Sequence, residues 1–301
     1  MKRFLLKTVL IVTLFFSLLL SGLVGVSVFV ERNHFENQHT EGNLLVIKAN
    51  HHYDLAFLGI SHARMFSRYG NHPKVEAILG KGLLNLGRGG GSCGVNEQLF
   101  YLQYAYSQGV KIDTLVYVVS PVLMYAGFLN RATDTFNSEP FNFGFLWQYI
   151  NFPAENKQVR IWSYMRSKFG PHWVRTVPDT KEAMTDTLTD LDTLVVQQGF
   201  KDSYKDGFND TIFQYNAKQM EATIALAEQY NTAVVFIFPP ALFGQWPAHA
   251  ETLAYFQRLG KPCFDFSEVI KEPRLYYDNH HLNTKGVVLF TDSFLRPVLG
   301  R

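Results

Sequence analysis

The chain has 301 residues, of which 47% are hydrophobic and 18% are charged. This composition supports a large buried core, and it excludes a disordered, collagen-like or small disulfide-framed protein. The formal net charge is +2, but three basic residues lie near the N-terminus, and the 271 residues from position 31 onward carry 25 basic and 26 acidic side chains. A nucleic-acid partner attracted by net charge is therefore not expected.

The first predicted element is an uncharged segment over residues 8–30. As a helix it would reach roughly 34 Å, which is enough to cross a bilayer. Basic residues precede it, so the positive-inside rule predicts a single-pass anchor with a cytoplasmic N-terminus and an extracytoplasmic main domain, periplasmic or at the cell surface. A cleaved signal peptide is the alternative, because Gly25 and Ser27 are small. The length of the apolar run and the missing A-x-A pattern favour an uncleaved anchor.

Residues 31–52 are polar and mixed in character, and we interpret them as a stalk that leads into a folded domain over residues 53–301. Short apolar runs recur in that domain, at residues 54–59, 83–86, 114–120, 232–238 and 263–266. They are continuous rather than alternating, which is typical of strands buried on both faces. Segments with helical spacing of apolar residues lie between several of them. This alternation predicts an α/β fold of three layers, an open and mainly parallel sheet with helices on both faces.

The stretch over about residues 125–209 breaks the alternation and is dense in aromatic residues. It follows the strand expected to end at Ser120, and we interpret it as a helical, aromatic insertion packed over one edge of the sheet. Ligands of open parallel sheets bind beyond the carboxyl ends of the strands, where such an insertion can shape a pocket. Most of these aromatic side chains are expected to form a second small core.

A serine follows the first predicted strand, in the segment Leu58-Gly-Ile-Ser61. At a turn from a strand into a helix a serine hydroxyl is exposed, and the preceding Gly59 permits a tight turn. Ser61 is therefore a candidate nucleophile. The alternative is that Ser61 caps the following helix, as most serines in such positions do.

A glycine-rich turn follows the second predicted strand, with five glycines in residues 85–94. Such a turn at the start of a helix can direct backbone N–H groups at a phosphate or at a developing oxyanion. A nucleotide site is disfavoured, because no Gly-Lys-Ser/Thr follows and the turn comes after the second strand rather than the first. A tight connection without a binding role is an equally good interpretation.

Asp278 precedes His281 by three residues, shortly before the last predicted helix. A carboxylate in that position can accept a hydrogen bond from the imidazole, which directs the other ring nitrogen outward as a base. A serine nucleophile requires such a base. A metal site would combine the histidine pairs 280–281 and 51–52, but no zinc spacing such as HExxH is present, and no metal is expected.

These three turns together resemble the SGNH/GDSL hydrolase-like superfamily. The segment 59–61, Gly-Ile-Ser, stands where that family has its Gly-Asp-Ser nucleophile block, with Ile60 in place of the usual aspartate. The segment 85–90, Asn-x-Gly-x-x-Gly, is similar to the second block, and the segment 278–281, Asp-x-x-His, matches the last block. The resemblance covers most of residues 53–297 with the insertion set aside.

The resemblance implies an acyl-transfer site that needs no metal or organic cofactor. It implies that Ser61 attacks an acyl carbonyl, that His281 acts as the base and that Asp278 orients His281. The backbone N–H groups of Ser61 and Gly90 are implied as donors to the oxyanion.

The third block of the family departs from its pattern here. It usually ends a strand with Gly-x-Asn-Asp, whose asparagine donates to the oxyanion, whereas this chain reads Val119-Ser-Pro-Val122. Loss of one such donor typically lowers the rate by about a hundredfold or more. Ser120 and Arg88 are the candidates to replace it.

The membrane anchor and the ending Asp-x-x-His-Leu-Asn are similar to membrane-attached relatives in this superfamily, including the D-alanyl-transfer protein of the lipoteichoic acid pathway and exopolysaccharide acetylation proteins. This implies an esterase or O-acyltransferase that acts on acyl groups, acetyl being the first expectation, of a cell-surface polysaccharide. The implied partners are that glycan and a membrane-bound O-acyltransferase. The alternative is a non-catalytic glycan-binding or assembly subunit, which the departures at Ile60 and Ser120 favour.

The chain has two cysteines, Cys93 in the glycine-rich turn and Cys263 beside the last predicted strand. In an oxidising compartment they could form one long-range disulfide. Alternatively, each is a buried free thiol that packs as a small apolar residue.

Overall fold

The computed structural model describes residues 1–30, 32, 47–89, 93–170 and 182–300. The main body is built on five strands, β1 His52–Gly59, β2 Leu83–Asn85, β3 Lys111–Val118, β4 Ala233–Phe238 and β5 Cys263–Asp265. They pair in parallel in the order β2-β1-β3-β4-β5. The predicted parallel α/β architecture is confirmed. Most of the predicted stalk lies outside the described residues.

Thirteen helices occur in the described residues. In chain order they are α1 Lys2–Val30, α2 Ser61–Arg64, α3 Asn71–Leu79, α4 Val95–Ser107, α5 Pro121–Tyr125, α6 Gly127–Arg131, α7 Phe143–Asn151, α8 Lys157–Ser167, α9 Thr193–Ser203, α10 Asp210–Gln229, α11 His249–Arg258, α12 Thr284–Phe290 and α13 Arg296–Leu299. A short 3₁₀ turn at Pro273–Leu275 precedes α12, and a π-helical turn at Thr291–Leu295 joins α12 to α13.

Alternate residues of each central strand belong to two separate cores. In β1, Ala56 and Leu58 pack with side chains of α4, α10 and α11, whereas Leu55 and Phe57 pack with side chains of α3, α12 and α13. Successive side chains of a strand point to opposite faces, so the sheet is covered by helices on both faces. This explains why the strands read as continuous apolar runs.

Strand β3 begins and ends earlier than the sequence predicts. It covers Lys111–Val118, so Ser120 lies beyond the strand, in the position that precedes the first turn of α5. Pro121 has no N–H and a fixed φ, which suits the first position of a helix and ends the strand. Ser120 therefore lies in a turn at the carboxyl edge of the sheet.

Helices α6 to α9 lie between α5 and α10, in the region predicted as an insertion. An aromatic core there joins α7 and α8 to α4, and its buried members include Phe100, Tyr101, Phe136, Phe145, Tyr149 and Tyr164. The expectation of a second small core is met for these side chains. Trp147 and Trp162, in contrast, are exposed.

Helix α1 is long and apolar enough to cross a membrane. Its side chains are almost all exposed, with the exceptions near its C-terminal end, where Ser27 and Val30 are buried against the rest of the chain.

Cys93 and Cys263 are both free, so the disulfide interpretation is wrong. Cys93 follows the carboxyl end of β2, whereas Cys263 is the first residue of β5. These strands form the two outer edges of the sheet, and the two residues lie at opposite ends of their strands. The fold therefore holds the thiols apart.

Candidate active site

The turn after β1 presents Ser61 as the first residue of α2. The preceding Gly59 has φ +144°, and a Cβ there would lie 2.5 Å from the carbonyl oxygen of Val118 in the paired strand β3. Only glycine fits so close to a neighbouring backbone. The close packing directs Ser61 to the carboxyl edge of the sheet, where the N–H of a first helical residue has no acceptor within its own helix.

A second turn, before α12, presents Asp278 and His281. One carboxylate oxygen of Asp278 accepts hydrogen bonds from the backbone N–H groups of His280, at 2.9 Å, and of His281, at 2.7 Å. The other oxygen lies 2.7 Å from Nδ1 of His281. The same carboxylate thus folds the turn and fixes the imidazole ring.

The two turns meet at their side chains. Nε2 of His281 lies 2.7 Å from Oγ of Ser61, and Nδ1 of the same ring is held by Asp278. Hydroxyl, imidazole and carboxylate therefore form one hydrogen-bonded chain. This order is the arrangement in which an imidazole can remove the proton of a serine hydroxyl.

The Asp278 carboxylate is ionised at neutral pH. Burial by itself raises its pKa, but the hydrogen bond from His281, the nearby imidazoles and the backbone N–H of His280 outweigh burial and lower the pKa below its usual value. A carboxylate that stays charged stabilises the imidazolium that forms when His281 takes a proton.

Two further histidines surround His281: His280, considered from the sequence only as a metal ligand, and His62, which no sequence pattern indicated. The ring centroid of His280 lies 4.0 Å from that of His281, and that of His62 lies 4.9 Å from it. Burial and then the proximity of His281 lower the pKa of His280 to about 3, and burial followed by both neighbouring imidazoles lowers the pKa of His62 as well. Both shifts favour the neutral form of these two rings.

These three histidines are close enough to ligate a metal ion jointly, the one such group found in the described residues. Both nitrogens of His281 are already engaged, by Ser61 and by Asp278, so a metal on this ring would break the hydrogen-bonded chain. The alternative partners considered from the sequence are remote, since residues 51 and 52 lie at the beginning of β1 and Ser61 follows its end.

The candidate oxyanion donors differ in their environments. Ser120 is fully buried, its hydroxyl has no hydrogen-bond partner, and it lines the same cavity as Ser61. Arg88 also lines the cavity, but its guanidinium donates to Glu139 at 2.8 Å and to the carbonyl of Thr135 at 2.7 Å. Gly90 lies outside the described residues. Among the described candidates, Ser120 is therefore the one whose side chain has no other hydrogen-bond partner and can donate to an oxyanion.

The glycine-rich turn is locked against the serine turn by Asn85. Its side-chain amide donates to the carbonyl of Ala63 at 2.8 Å, and its side-chain oxygen accepts from the N–H of Gly87 at 2.8 Å. A Cβ on Gly87 would lie 2.5 Å from the backbone nitrogen of Arg64. Asn85 and Gly87 therefore set how closely the two turns approach.

Buried ion pairs tie the insertion to the same region. Glu97 in α4 lies 2.7 Å from Arg160 in α8, with both side chains almost completely buried, and Glu139 receives Arg88. Buried charges are costly unless paired, so the first pair fixes α8 against α4, and the second fixes the segment around Glu139 against the glycine-rich turn.

Two adjoining cavities lie at this edge of the sheet. The first, of about 140 Å³, contains Ser61, His62, Ser120 and Trp246 in its wall. The second, of about 280 Å³, is lined by apolar residues of α9 together with Phe243 and Trp246, and it shares His280 with the first. No local pattern indicated Trp246, because it reaches the site only through the long connection between β4 and α11.

A second serine–histidine pair occurs elsewhere in the chain. Oγ of Ser67 lies 2.7 Å from Nδ1 of His72, and the carboxylate of Glu76 lies 3.3 Å from the other ring nitrogen. Ser67 and His72 are both buried, and neither lines the two cavities described above. This pair stabilises the connection between α2 and α3, and it offers a control for the site at Ser61.

The chain matches no model of a known protein family, and no curated protein matches it.

Proposed function

We propose that this protein is a membrane-anchored serine esterase or O-acyltransferase that acts on acyl esters of a cell-surface or exported polysaccharide. The observation that carries the proposal is the hydrogen-bonded chain from Ser61 through His281 to Asp278, with 2.7 Å at each step, and Ser61 lies in the wall of a cavity. The three blocks named from the sequence support an SGNH-like site, because Ser61 contacts His281 and the turn that begins at Ser61 is bonded to Asn85, all at one edge of a parallel sheet.

In the first half of the reaction, Oγ of Ser61 attacks the carbonyl carbon of the acyl ester while Nε2 of His281 takes the hydroxyl proton. The carbonyl oxygen becomes an oxyanion, for which the backbone N–H of Ser61 and the hydroxyl of Ser120 are the described donors. The imidazolium of His281 then gives its proton to the leaving alkoxide. The acyl group remains on Ser61 as an ester.

In the second half, an acceptor hydroxyl replaces the departed alcohol. His281 removes its proton, the acceptor oxygen attacks the acyl-serine, and the proton returns to Oγ of Ser61 when that bond breaks. Water as the acceptor gives hydrolysis, and a sugar hydroxyl gives transfer. The apolar second cavity beside His280 favours exclusion of water, which supports transfer.

The anchor and its side of the membrane belong to the same proposal. Helix α1 has the length and composition of a membrane span, and the basic residues that precede it support a cytoplasmic N-terminus with the catalytic domain outside. The proposed acyl-bearing polymer is accordingly an envelope glycan, and the proposed source of acyl groups is a membrane-bound O-acyltransferase.

A non-catalytic glycan-binding or assembly subunit is the second candidate. The observation that favours it is the serine at position 120, where the family has an asparagine donor. A binding subunit has no need of a charged carboxylate that orients an imidazole toward a hydroxyl, so the arrangement at Asp278 favours catalysis.

The full chain in detergent micelles, supplied with an activated aryl acetate and with an O-acetylated hexose, tests the proposal. We expect ester cleavage by the parent chain and none by Ser61→Ala. The matched control is Ser67→Ala, which removes the other histidine-bonded serine and should retain turnover per folded molecule. Glycan binding without any cleavage, unchanged in Ser61→Ala, would instead support the binding subunit.

A further inference from the structure

Large apolar side chains are exposed on the outer faces of α7 and α8. Trp147 in α7 is 60% exposed and Trp162 in α8 is 69% exposed, and Phe143, Ile150 and Phe169 are exposed as well. Half of the exposed large apolar side chains that follow α1, among the described residues, lie between positions 143 and 169. Helix α7 contains no charged residue. Exposed apolar patches of this kind mark sites that contact a membrane or another protein.

The inner faces of α7 and α8 belong to a core that also contacts α1. Phe145, Tyr149 and Tyr164 form the aromatic core of the insertion, and Leu23 of α1 packs against that core. The side chains of α1 that are less exposed form one stripe, at Leu19, Leu23, Ser27 and Val30. The aromatic core to which α7 and α8 contribute therefore lies against the C-terminal half of α1.

The position of Leu23 along α1 determines how deep in the bilayer this contact lies. A bilayer core needs about 20 helical residues, so a span that begins at Thr8 ends near Ser27. Leu23 would then lie roughly 6 Å inside the hydrocarbon boundary, at ~1.5 Å per residue. A domain that contacts Leu23 must itself reach the interfacial layer.

We propose that the exposed faces of α7 and α8 rest in the outer interfacial layer of the bilayer that α1 crosses. Tryptophan prefers this layer because its ring is apolar and its indole N–H finds polar partners there. Arg166, exposed one turn after Trp162, is placed to reach lipid phosphates while its stem stays in apolar surroundings. The inference rests on the proposed function in one respect, that α1 is a membrane anchor.

This contact fixes the height of the catalytic cleft above the membrane. The insertion that carries α7 and α8 is tied to α4 by the buried pair of Arg160 and Glu97, and to the glycine-rich turn by the pair of Glu139 and Arg88. A cleft held close to the lipid surface suits an acyl donor or an acceptor glycan that is itself attached to the membrane.

Bromine-quenched tryptophan fluorescence of the full chain in nanodiscs tests this proposal. The nanodiscs contain phosphatidylcholine and phosphatidylglycerol, either plain or brominated on acyl carbons near the glycerol. All chains carry Trp173→Phe, so the emitting residues are Trp147, Trp162 and Trp246. We expect brominated lipid to remove roughly half of the emission, since two of the three tryptophans lie at the lipid surface.

Conservative variants test whether the quenched emission comes from Trp147 and Trp162. Trp147→Phe and Trp162→Phe should each reduce the quenched fraction, and the double variant should leave only Trp246, in the cleft, insensitive to bromine. The matched control adds Leu289→Trp to the double variant, because Leu289 is exposed on α12, on the opposite face of the sheet from α4 and α10. Its emission should not change in brominated lipid.

The experiment distinguishes failure of the anchor hypothesis from failure of the surface-contact hypothesis, because entry into nanodiscs and quenching are measured separately. A chain that co-elutes with nanodiscs but emits equally in both lipids overturns the surface contact and leaves the anchor intact, and the patch would then belong to another membrane protein. Quenching of Leu289→Trp as strong as that of Trp147 also overturns the contact. A chain that does not enter nanodiscs overturns both.

Discussion

Asp278 and His281 share two hydrogen bonds, one between the side chains and one from the backbone N–H of His281 to the same carboxylate. The side chain that orients the imidazole is thus also the side chain that shapes its turn. Because Oδ1 of Asp278 holds the turn and Oδ2 holds the ring, the direction in which Nε2 points toward Ser61 depends on Asp278 being a charged acceptor.

Asp278→Asn should therefore reduce ester turnover without unfolding the protein. An amide can accept through one atom only, and it stabilises no imidazolium, so we expect a loss on the order of 10³–10⁴-fold in kcat. The measurement is aryl acetate cleavage at saturating substrate. Asp113→Asn is the control, since Asp113 bonds to His52 at an exposed site at the far end of β1. A loss of less than tenfold for Asp278→Asn would mean that the carboxylate is structural only.

Ser120→Ala tests the proposed replacement for the missing asparagine. Removal of one oxyanion donor lowers kcat by about a hundredfold while KM changes little. Ser203→Ala is the control, because Ser203 lines both cavities without being a candidate donor, and it should leave kcat nearly unchanged. Equal kcat values for the two variants would remove Ser120 from the reaction.

Gly87→Ala should displace the serine turn. The added Cβ would lie 2.5 Å from the Arg64 nitrogen and 2.7 Å from Cβ of Ala63, and both belong to α2. We expect lower thermal stability together with lost turnover. In Gly199→Ala the added Cβ meets nothing within 4 Å, and alanine in a helix is favoured over glycine by roughly 0.5–1 kcal/mol. That control should be as stable as the parent or more so, and similar melting of both variants would contradict the packing argument.

Much of this site was predictable because its key motifs are local. Asp278 and His281 lie three residues apart, so one turn brings them together. Ser61 follows a recognisable strand, and parallel strands deliver their following turns to one edge of a sheet. His62 and Trp246 were not predictable, because their burial depends on chain segments distant in sequence. The sequence predicts a later end for β3 than the structure has, because the apolar pattern continues to Val119 although Pro121 starts a helix.

The insertion could be predicted only in outline. Its aromatic density indicated a core, but the side chains that pack inward, such as Phe145 and Tyr149, alternate along α7 with Trp147, which does not. Which face of such a helix is buried depends on its neighbours, here α4 and α8. Whether Cys93 and Cys263 could pair depends on the order of the strands in the sheet, which two cysteine positions do not indicate.

Lys168 gives the fold a measurable pH dependence. Burial lowers its pKa to about 7, although Glu139 opposes the shift. An unfolded lysine titrates near 10.4, so from about pH 7 upward the unfolded chain binds more protons than the folded chain at this site. Its contribution to stability therefore increases with pH, by at most about 1.4 kcal/mol per pH unit.

We expect Lys168→Met to remove this increase. The measurement is the thermal midpoint of the full chain in detergent between pH 7 and 8.5, compared with the parent. Lys285→Met, at an exposed position of α12, should retain the parent slope. Parallel pH profiles for the parent and Lys168→Met would show that Lys168 stays protonated throughout this range.

Covalent labelling of Ser61 tests the central claim most directly. The full chain is treated with a fluorophosphonate, which reacts with serines whose proton a neighbouring base removes, and the modified peptide is identified by mass spectrometry. Our account predicts one adduct, on Ser61, which is lost in His281→Gln and retained in Ser67→Ala. An unlabelled Ser61, or labelling of Ser61 that is equally fast in His281→Gln, would contradict it.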